Sequence, residues 1–311
     1  MHNLKIDNNK FAYLNTNTLP KISFARKQKT ILKELSFEGI GLHTGNKIKM
    51  IIKPAPTDTG IVFRKVQNSG SVSLIKAHYK NVISTKLCTV LSNGANTDIS
   101  TVEHILSALY ALEIDNVYID INSNEIPVYD GSSRPFVEML NETGYCAQDS
   151  FKKYIKILKT VEVTSGKRVA RVVPFDNTLI TSEINFDHKV IGKQSISLLL
   201  TPELYQSQIS PARTFGFLDQ VEVLRKSGLA LGGSLDNAIV LNKKEVINKD
   251  GLRFADEFVR HKVLDFIGDI SLAGYKILGS FFTSSSGHEI NIELLEKIFS
   301  SESNWTFVTK D

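Results

Sequence analysis

Cysteine is scarce in this chain: Cys88 and Cys146 are the only two among 311 residues. Two thiols cannot build a disulfide framework or a four-thiolate metal centre, so any metal must rely on His, Asp or Glu. A reduced, cytoplasmic setting is the default that follows. No apolar run reaches the roughly 18 residues a membrane helix needs, and no apolar h-region lies near Met1. Neither sign of charge dominates. Lys and Arg number 37 against 33 Asp and Glu, giving a net charge of +4. The basic residues are not massed in one block, so neither a nucleic-acid partner nor stable membrane insertion is expected. The nucleotide patterns G-x-x-x-x-G-K-[ST] and G-x-G-x-x-G are absent where they would matter.

What remains is ordinary globular composition, 42% hydrophobic and 23% charged, in a chain long enough for about two domains. Residues 1–27, rich in Asn and Lys, predict a mobile extension. Short strands are predicted over 30–35, 47–53, 60–66 and 87–91, then a helix over 100–112, a strand over 116–121 and a helix within 134–143. The second half repeats that order. Strands over 154–164, 168–173 and 179–186 precede a short helix over 218–226, a strand over 238–241, a helix over 255–272, a strand over 276–283 and a helix over 290–299. The fold class expected is α+β, as two similar two-layer sandwiches, 28–148 and 149–311, packed against each other with a small-molecule cleft at their junction.

The chemistry concentrates on the helix carrying Phe258-Val-Arg-His-Lys-Val-Leu-Asp-Phe-Ile-Gly-Asp269. Val259, Val263, Phe266, Ile267 and Ile270 share a core face. His261, Asp265 and Asp269 stand at i, i+4 and i+8 on the other side, with Lys262 beside them. Imidazole and carboxylate on adjacent turns can share one zinc ion. Taken alone, the same pattern equally describes a solvated polar face.

Ser100-Thr-Val-Glu-His104 opens the first-half helix. Ser100 and Glu103 fit the S-x-x-E capping box, in which the carboxylate only satisfies a backbone N–H. Alongside the other helix, a second reading opens. His104, His261 and Asp265 supply the three protein ligands of a catalytic zinc, and Glu103 is placed to take a proton from water at the metal. Ser286-Gly-His288 adds an imidazole that could protonate a leaving amine, with Asp269 holding the ring charged and oriented. In Ala212-Arg-Thr-Phe-Gly-Phe217 the Thr214 hydroxyl could line an oxyanion pocket. Leu231-Gly-Gly-Ser-Leu-Asp236 reads as a tight loop. His43, in Gly39-Ile-Gly-Leu-His-Thr-Gly45, could be purely structural, and His2, His78 and His188 lack supporting neighbours.

Those motifs, with Glu125-Ile-Pro-Val-Tyr-Asp-Gly-Ser132, occur in an order that resembles the zinc-dependent UDP-3-O-acyl-N-acetylglucosamine deacetylases of lipid A biosynthesis. The resemblance runs from about residue 27 to 309. It implies a cytoplasmic enzyme, expected to be monomeric, whose partner is the small-molecule sugar nucleotide. It further implies zinc on His104, His261 and Asp265, Glu103 as general base, and His288 as general acid supported by Asp269. Thr214 is implied to hold the oxyanion and Lys262 to contact the substrate or the charged intermediate. Phe215 and Phe217 are implied to shape the sugar and nucleotide pocket. An inserted segment, about 218–233, would form the acyl passage, with Val221, Leu224, Leu229 and Gly233 in the substrate-binding set. The alternatives are a non-catalytic sugar-nucleotide or RNA-binding module and a zinc amidase acting on another N-acetylated sugar.

Overall fold

A computed structural model describes residues 27–66, 71–95 and 97–309. The extension expected over 1–27 lies outside these residues, apart from Lys27, which opens the first strand. The first half comprises β1 (Lys27–Ile31), β2 (Leu35–Ile40), β3 (Lys47–Pro54), β4 (Ile61–Val66) and β5 (Val72–Lys76), then short strands β6 (Val82–Ser84), β7 (Val90–Ser92) and β8 (Asp98–Ile99). Helix α1 (Glu103–Ala111), β9 (Val117–Ile121), α2 (Arg134–Thr143) and β10 (Tyr145–Phe151) complete it. The second half runs β11 (Lys153–Ile157), β12 (Val161–Ser165), β13 (Arg168–Val173), β14 (Thr178–Asn185), β15 (Lys193–Leu199), α3 (Pro202–Gln208), β16 (Phe215–Phe217), α4 (Leu218–Lys226) and β17 (Ile239–Leu241). It closes with α5 (Glu257–Ser271), β18 (Lys276–Ser284), α6 (His288–Phe299) and β19 (Trp305–Thr309).

The echo between the halves is topological. In the first sheet β2 and β3 pair antiparallel, β3 pairs antiparallel with β9, β9 runs parallel to β4, and β4 pairs antiparallel with β5. In the second, β12, β13, β18, β14 and β15 repeat those neighbours and senses. Each central strand follows a long helix, α1 before β9 and α5 before β18, as a parallel crossover requires. The second sheet is wider, because β18 also pairs through Lys276–Leu278 with β11, which carries β19 on its far edge. That is why the strand expected over 154–164 is two strands. The chain leaves β11 at Ile157 and re-enters as β12 on another part of the sheet. Likewise the strand expected over 30–35 breaks where β1 stops pairing with β10 and β2 joins β3.

Helix α1 is buried on nearly every side, from Glu103 to Ala111, and so is α5 from Glu257 to Ile270. A helix hidden all round lies between layers rather than on a surface. Here α1 packs on α5, so the two sandwiches meet helix layer to helix layer. The polar side of α5 is therefore not the solvated face that its charges alone would suggest. One apolar core runs through both halves, including Leu109 and Ile119 from the first and Phe266 and Phe281 from the second. No helix among the described residues is long and apolar enough to cross a membrane.

The two helices approach closely at Gly268. A Cβ there would overlap the backbone carbonyl of Glu103, so only glycine lets α5 approach the first turn of α1. We expect Gly268→Ala to lower stability by about 1–3 kcal/mol in chemical denaturation, the usual cost of forcing a methyl into a packed contact. Gly216→Ala, where a Cβ meets nothing within 4 Å, serves as the control. Equal midpoints for the two variants would show that the helices can separate without penalty.

Candidate metal centre and its acid and base

The packing of α1 on α5 brings the predicted ligands together. One ligand atom each from His104, His261 and Asp265 lie within 4.8 Å of one another, and all three residues are buried. His261 Nε2 is 3.2 Å from Asp265 Oδ1, and His104 Nε2 is 3.8 Å from the same oxygen. The imidazole rings meet edge to face, centroids 5.1 Å apart. His261 Nδ1 lies 3.0 Å from Ala212 O. As the donor in that bond, Nδ1 keeps its proton and leaves Nε2 with a lone pair facing Asp265. The other carboxylate oxygen, Asp265 Oδ2, accepts from Lys262 Nζ at 2.8 Å.

Burial, reinforced by the His261 ring, drives the His104 pKa down to about 3, and burial also lowers that of His261. Both imidazoles are thus neutral, the form that binds metal. Burial alone would raise Asp265, but the positive groups facing it, the Lys262 ammonium and the His288 ring, outweigh that push and hold it well below the usual carboxylate range. Two neutral imidazoles and one ionised carboxylate converging from buried positions fit a divalent cation of the zinc type.

Glu103 and His288 flank this cluster. Glu103 is 3% exposed, and burial lifts its pKa to about 7, against the pull of His288. The alternative reading as a capping box does not hold. The N-cap of the helix is Val102 rather than Ser100, so Ser100 is not placed to cap it, and Ser100 Oγ donates to Asn124 O at 3.0 Å instead. Glu103 Oε2 accepts the backbone N–H of Thr89 at 3.1 Å, and Oε1 stands 3.7 Å from His288 Nε2. His288 Nδ1 is 2.9 Å from Asp269 Oδ2. Burial works against a charged ring there, yet Asp269 and Glu103 overcome it and raise the pKa to about 10. Asp269 is fully buried and also accepts from Thr89 Oγ1 at 2.6 Å and Asn291 Nδ2 at 2.8 Å.

These groups border a cleft of about 530 Å³, whose wall also includes Thr214, Phe215 and Lys262. Lys262 Nζ lies 5.6 Å from the Phe215 ring centre. His43, read from sequence as a turn residue, lines the same cleft, and its Nδ1 is buried without a partner among the described residues. Phe217 does not reach this cleft; it borders a neighbouring hollow with His188 and Leu218. Val221 and Leu224 are half-buried on α4, and Leu229 and Gly233 follow that helix, all outside the catalytic cleft.

Thr89 and Glu257 escaped the sequence reading. Thr89 falls in a run that reads as a strand, with nothing to mark it as a link between Glu103 and Asp269. Glu257, fully buried at the first residue of α5, accepts from Arg213 N at 3.0 Å, Arg213 Nε at 2.9 Å and Arg253 N at 2.6 Å. It thereby fixes the backbone next to Thr214. An acidic residue in a first helical turn ordinarily signals only the helix dipole, which hides such a role.

Comparison with known proteins agrees with this geometry. The family model described as UDP-3-O-acyl N-acetylglycosamine deacetylase (LpxC) matches residues 28–300. A protein named UDP-3-O-acyl-N-acetylglucosamine deacetylase from Syntrophotalea carbinolica is 45% identical over 281 residues, 90% of each chain. Proteins of the same name from Idiomarina loihiensis and Haemophilus influenzae are 44% and 43% identical. They align over 92% and 91% of this chain and 94% and 93% of their own lengths. With the match spanning nearly all of both sandwiches and every motif on the cleft, this chain belongs to the UDP-3-O-acyl N-acetylglycosamine deacetylase family.

Proposed function

We propose that the chain hydrolyses the 2-acetamido group of a UDP-3-O-acyl-N-acetylglucosamine, releasing acetate and the free amine, the committed step of lipid A biosynthesis. The observation that carries this reading is the convergence of His104, His261 and Asp265, with Glu103 and His288 at its edge. In this reading zinc is the metal, the enzyme is a cytoplasmic monomer, and residues 28–148 and 149–311 are its two units. Neither nucleic acid nor membrane insertion is part of it. A non-catalytic binding module would have no use for three converging ligands beside a buried acid and base.

Zinc held by His104, His261 and Asp265 would supply Lewis acidity, polarising the amide carbonyl and making water at the site more acidic. Glu103 takes the proton of the attacking water on its carboxylate. The Thr214 hydroxyl donates to the carbonyl oxygen as negative charge builds on it. Lys262, tied to Asp265 Oδ2, adds a positive charge to the same wall and contacts the substrate. His288 gives the proton on Nε2 to the departing amine, while Asp269 at Nδ1 orients the ring and stabilises its charged form. Phe215 and Phe217 shape the sugar and nucleotide pocket. Val221, Leu224, Leu229 and Gly233 border the path of the acyl chain.

Glu103→Gln is expected to keep its zinc while losing roughly 10²–10⁴-fold in turnover, the usual contribution of a positioned general base; zinc stoichiometry and mass-resolved deacetylation read the two effects. Near-normal turnover would remove Glu103 from the chemistry. His261→Ala should fail at the other step, with metal content well below one per chain. Chelation of the unaltered chain should abolish deacetylation, and zinc should restore it. Activity that survives full metal removal would overturn the metal-dependent reading, whereas a zinc-loaded chain that binds the sugar nucleotide without turning it over would favour a binding module.

A further inference from the structure

Two of the sequence motifs, Gly39–Gly45 and Glu125–Ser132, contribute no residue to the chemistry above, yet one carboxylate joins them. Glu125, fully buried, forms a backbone bridge with Ser100, and Ile126 N donates to Ser100 O at 3.1 Å. Its backbone is therefore fixed to the segment leading into Glu103 and His104. Its side chain reaches the other motif. Oε1 accepts from His43 N at 2.7 Å, and Oε2 accepts from Thr44 N at 2.9 Å and Thr44 Oγ1 at 2.6 Å. No Lys or Arg pairs with Glu125 among the described residues. A buried carboxylate held by backbone and hydroxyl donors alone is costly to keep, so a feature of this kind calls for a reason beyond packing. Gly41 makes room for it, since a Cβ there would overlap Glu125 Oε2 and Thr44 Oγ1.

The loop held in this way grips the second half. Leu231 N donates to His43 O at 3.0 Å, and Gly232 N donates to Leu42 O at 3.1 Å. Leu42 and His43 line the catalytic cleft. In the gripped segment Leu231 exposes an apolar side chain, and so do Leu218 and Val223 on the preceding helix, Val223 by 63%. Exposed apolar side chains on a segment tied to a cleft wall suit the hydrocarbon chain of a substrate whose reacting amide lies in that cleft.

We propose that Glu125 is a positioning residue for acyl-chain specificity. Its carboxylate locks the 42–44 backbone, which locks 231–232, and so sets the distance between the reacting amide and the apolar wall. This rests on the proposed function, in which the substrate carries an acyl chain. A glutamine keeps one acceptor oxygen and turns its NH₂ toward a backbone N–H, so one of the two strands of the clamp must open.

The test is Glu125→Gln with Gly41→Ala as an independent route to the same defect. Amide hydrogen exchange at 42–44 and 231–232 should accelerate roughly tenfold or more, as expected when a charge-assisted hydrogen bond is lost. Zinc content and exchange in α1 and α5 should stay unchanged. KM for a long-chain 3-O-acyl substrate should rise roughly tenfold relative to a short-chain one, with kcat on the short-chain substrate preserved. Equal losses on both chain lengths, or unchanged exchange at the two segments, would overturn the proposal. Exchange needs no substrate. An unaltered chain that deacetylates no UDP-sugar would defeat the proposed function, while the exchange data would still decide whether the clamp exists.

Discussion

Where Gly268 lies against the carbonyl of Glu103, α5 and α1 come closer than any larger residue would allow. These helices are the corresponding elements of two sandwiches with the same strand order, so their contact is the seam of the whole fold. The candidate ligands sit on that seam, His104 from one half and His261 with Asp265 from the other. A shift of one helix by the thickness of a methyl group would far exceed the roughly 0.5 Å within which a functional constellation must be held. The geometry of the centre and the packing of the halves are thus one constraint.

The seam also gathers charge that apolar packing could not tolerate. Glu103, Asp265 and Asp269 are buried beside the His288 ring and the half-buried Lys262 ammonium, which these carboxylates hold charged. With all three carboxylates ionised, the anions outnumber the cations, and neutral donors from Thr89 and Asn291 carry part of the burden at Asp269. Such a cluster costs stability unless each charge has a partner. A divalent cation among the three ligands would offset that excess, while burial, more than the neighbouring carboxylates, raises the pKa of Glu103. Its pKa near 7 and that of His288 near 10 are two outcomes of one shared environment.

Much of this was legible in the chain. The period of Phe258–Asp269 showed which side of α5 meets apolar neighbours, and the pairing of Glu103 with His104 gave that polar side a partner. The order of strands and helices gave two similar α+β sandwiches, but not which strands are neighbours, because those pairings join segments far apart in the chain. The capping box was a local rule applied at the wrong register, since the helix starts at Glu103 rather than after Ser100. Thr89 and Glu257 were invisible for a different reason. Their roles depend on partners far away in sequence, Asp269 and Arg213, and neither residue type is unusual where it stands. Strands such as β10, β15 and β19 lie at sheet edges and bury few or no side chains, so their sequences carry little apolar signal.

The repeats differ most between their second hairpin and their long helix. In the first half the described residues of this interval form a 3-10 turn, β6, β7 and β8; in the second they form α3, β16, α4 and β17. The base of that longer segment has a small core of its own, with Ile239, Leu241, Phe258 and Val259, and the buried Arg213–Glu257 pair ties it to the start of α5. Thr214 and Phe215 stand on this anchored base. Its outer helix, α4, buries none of its side chains. Few contacts therefore oppose displacement of α4, whereas the cleft wall moves only if α5 moves with it. Under the proposed function, this division would let the outer segment accommodate different hydrocarbon chains while the groups around the reacting amide keep their distances. It also explains why the backbone clamp at Leu231 and Gly232 falls just beyond α4, where the anchored and unanchored parts of the segment meet.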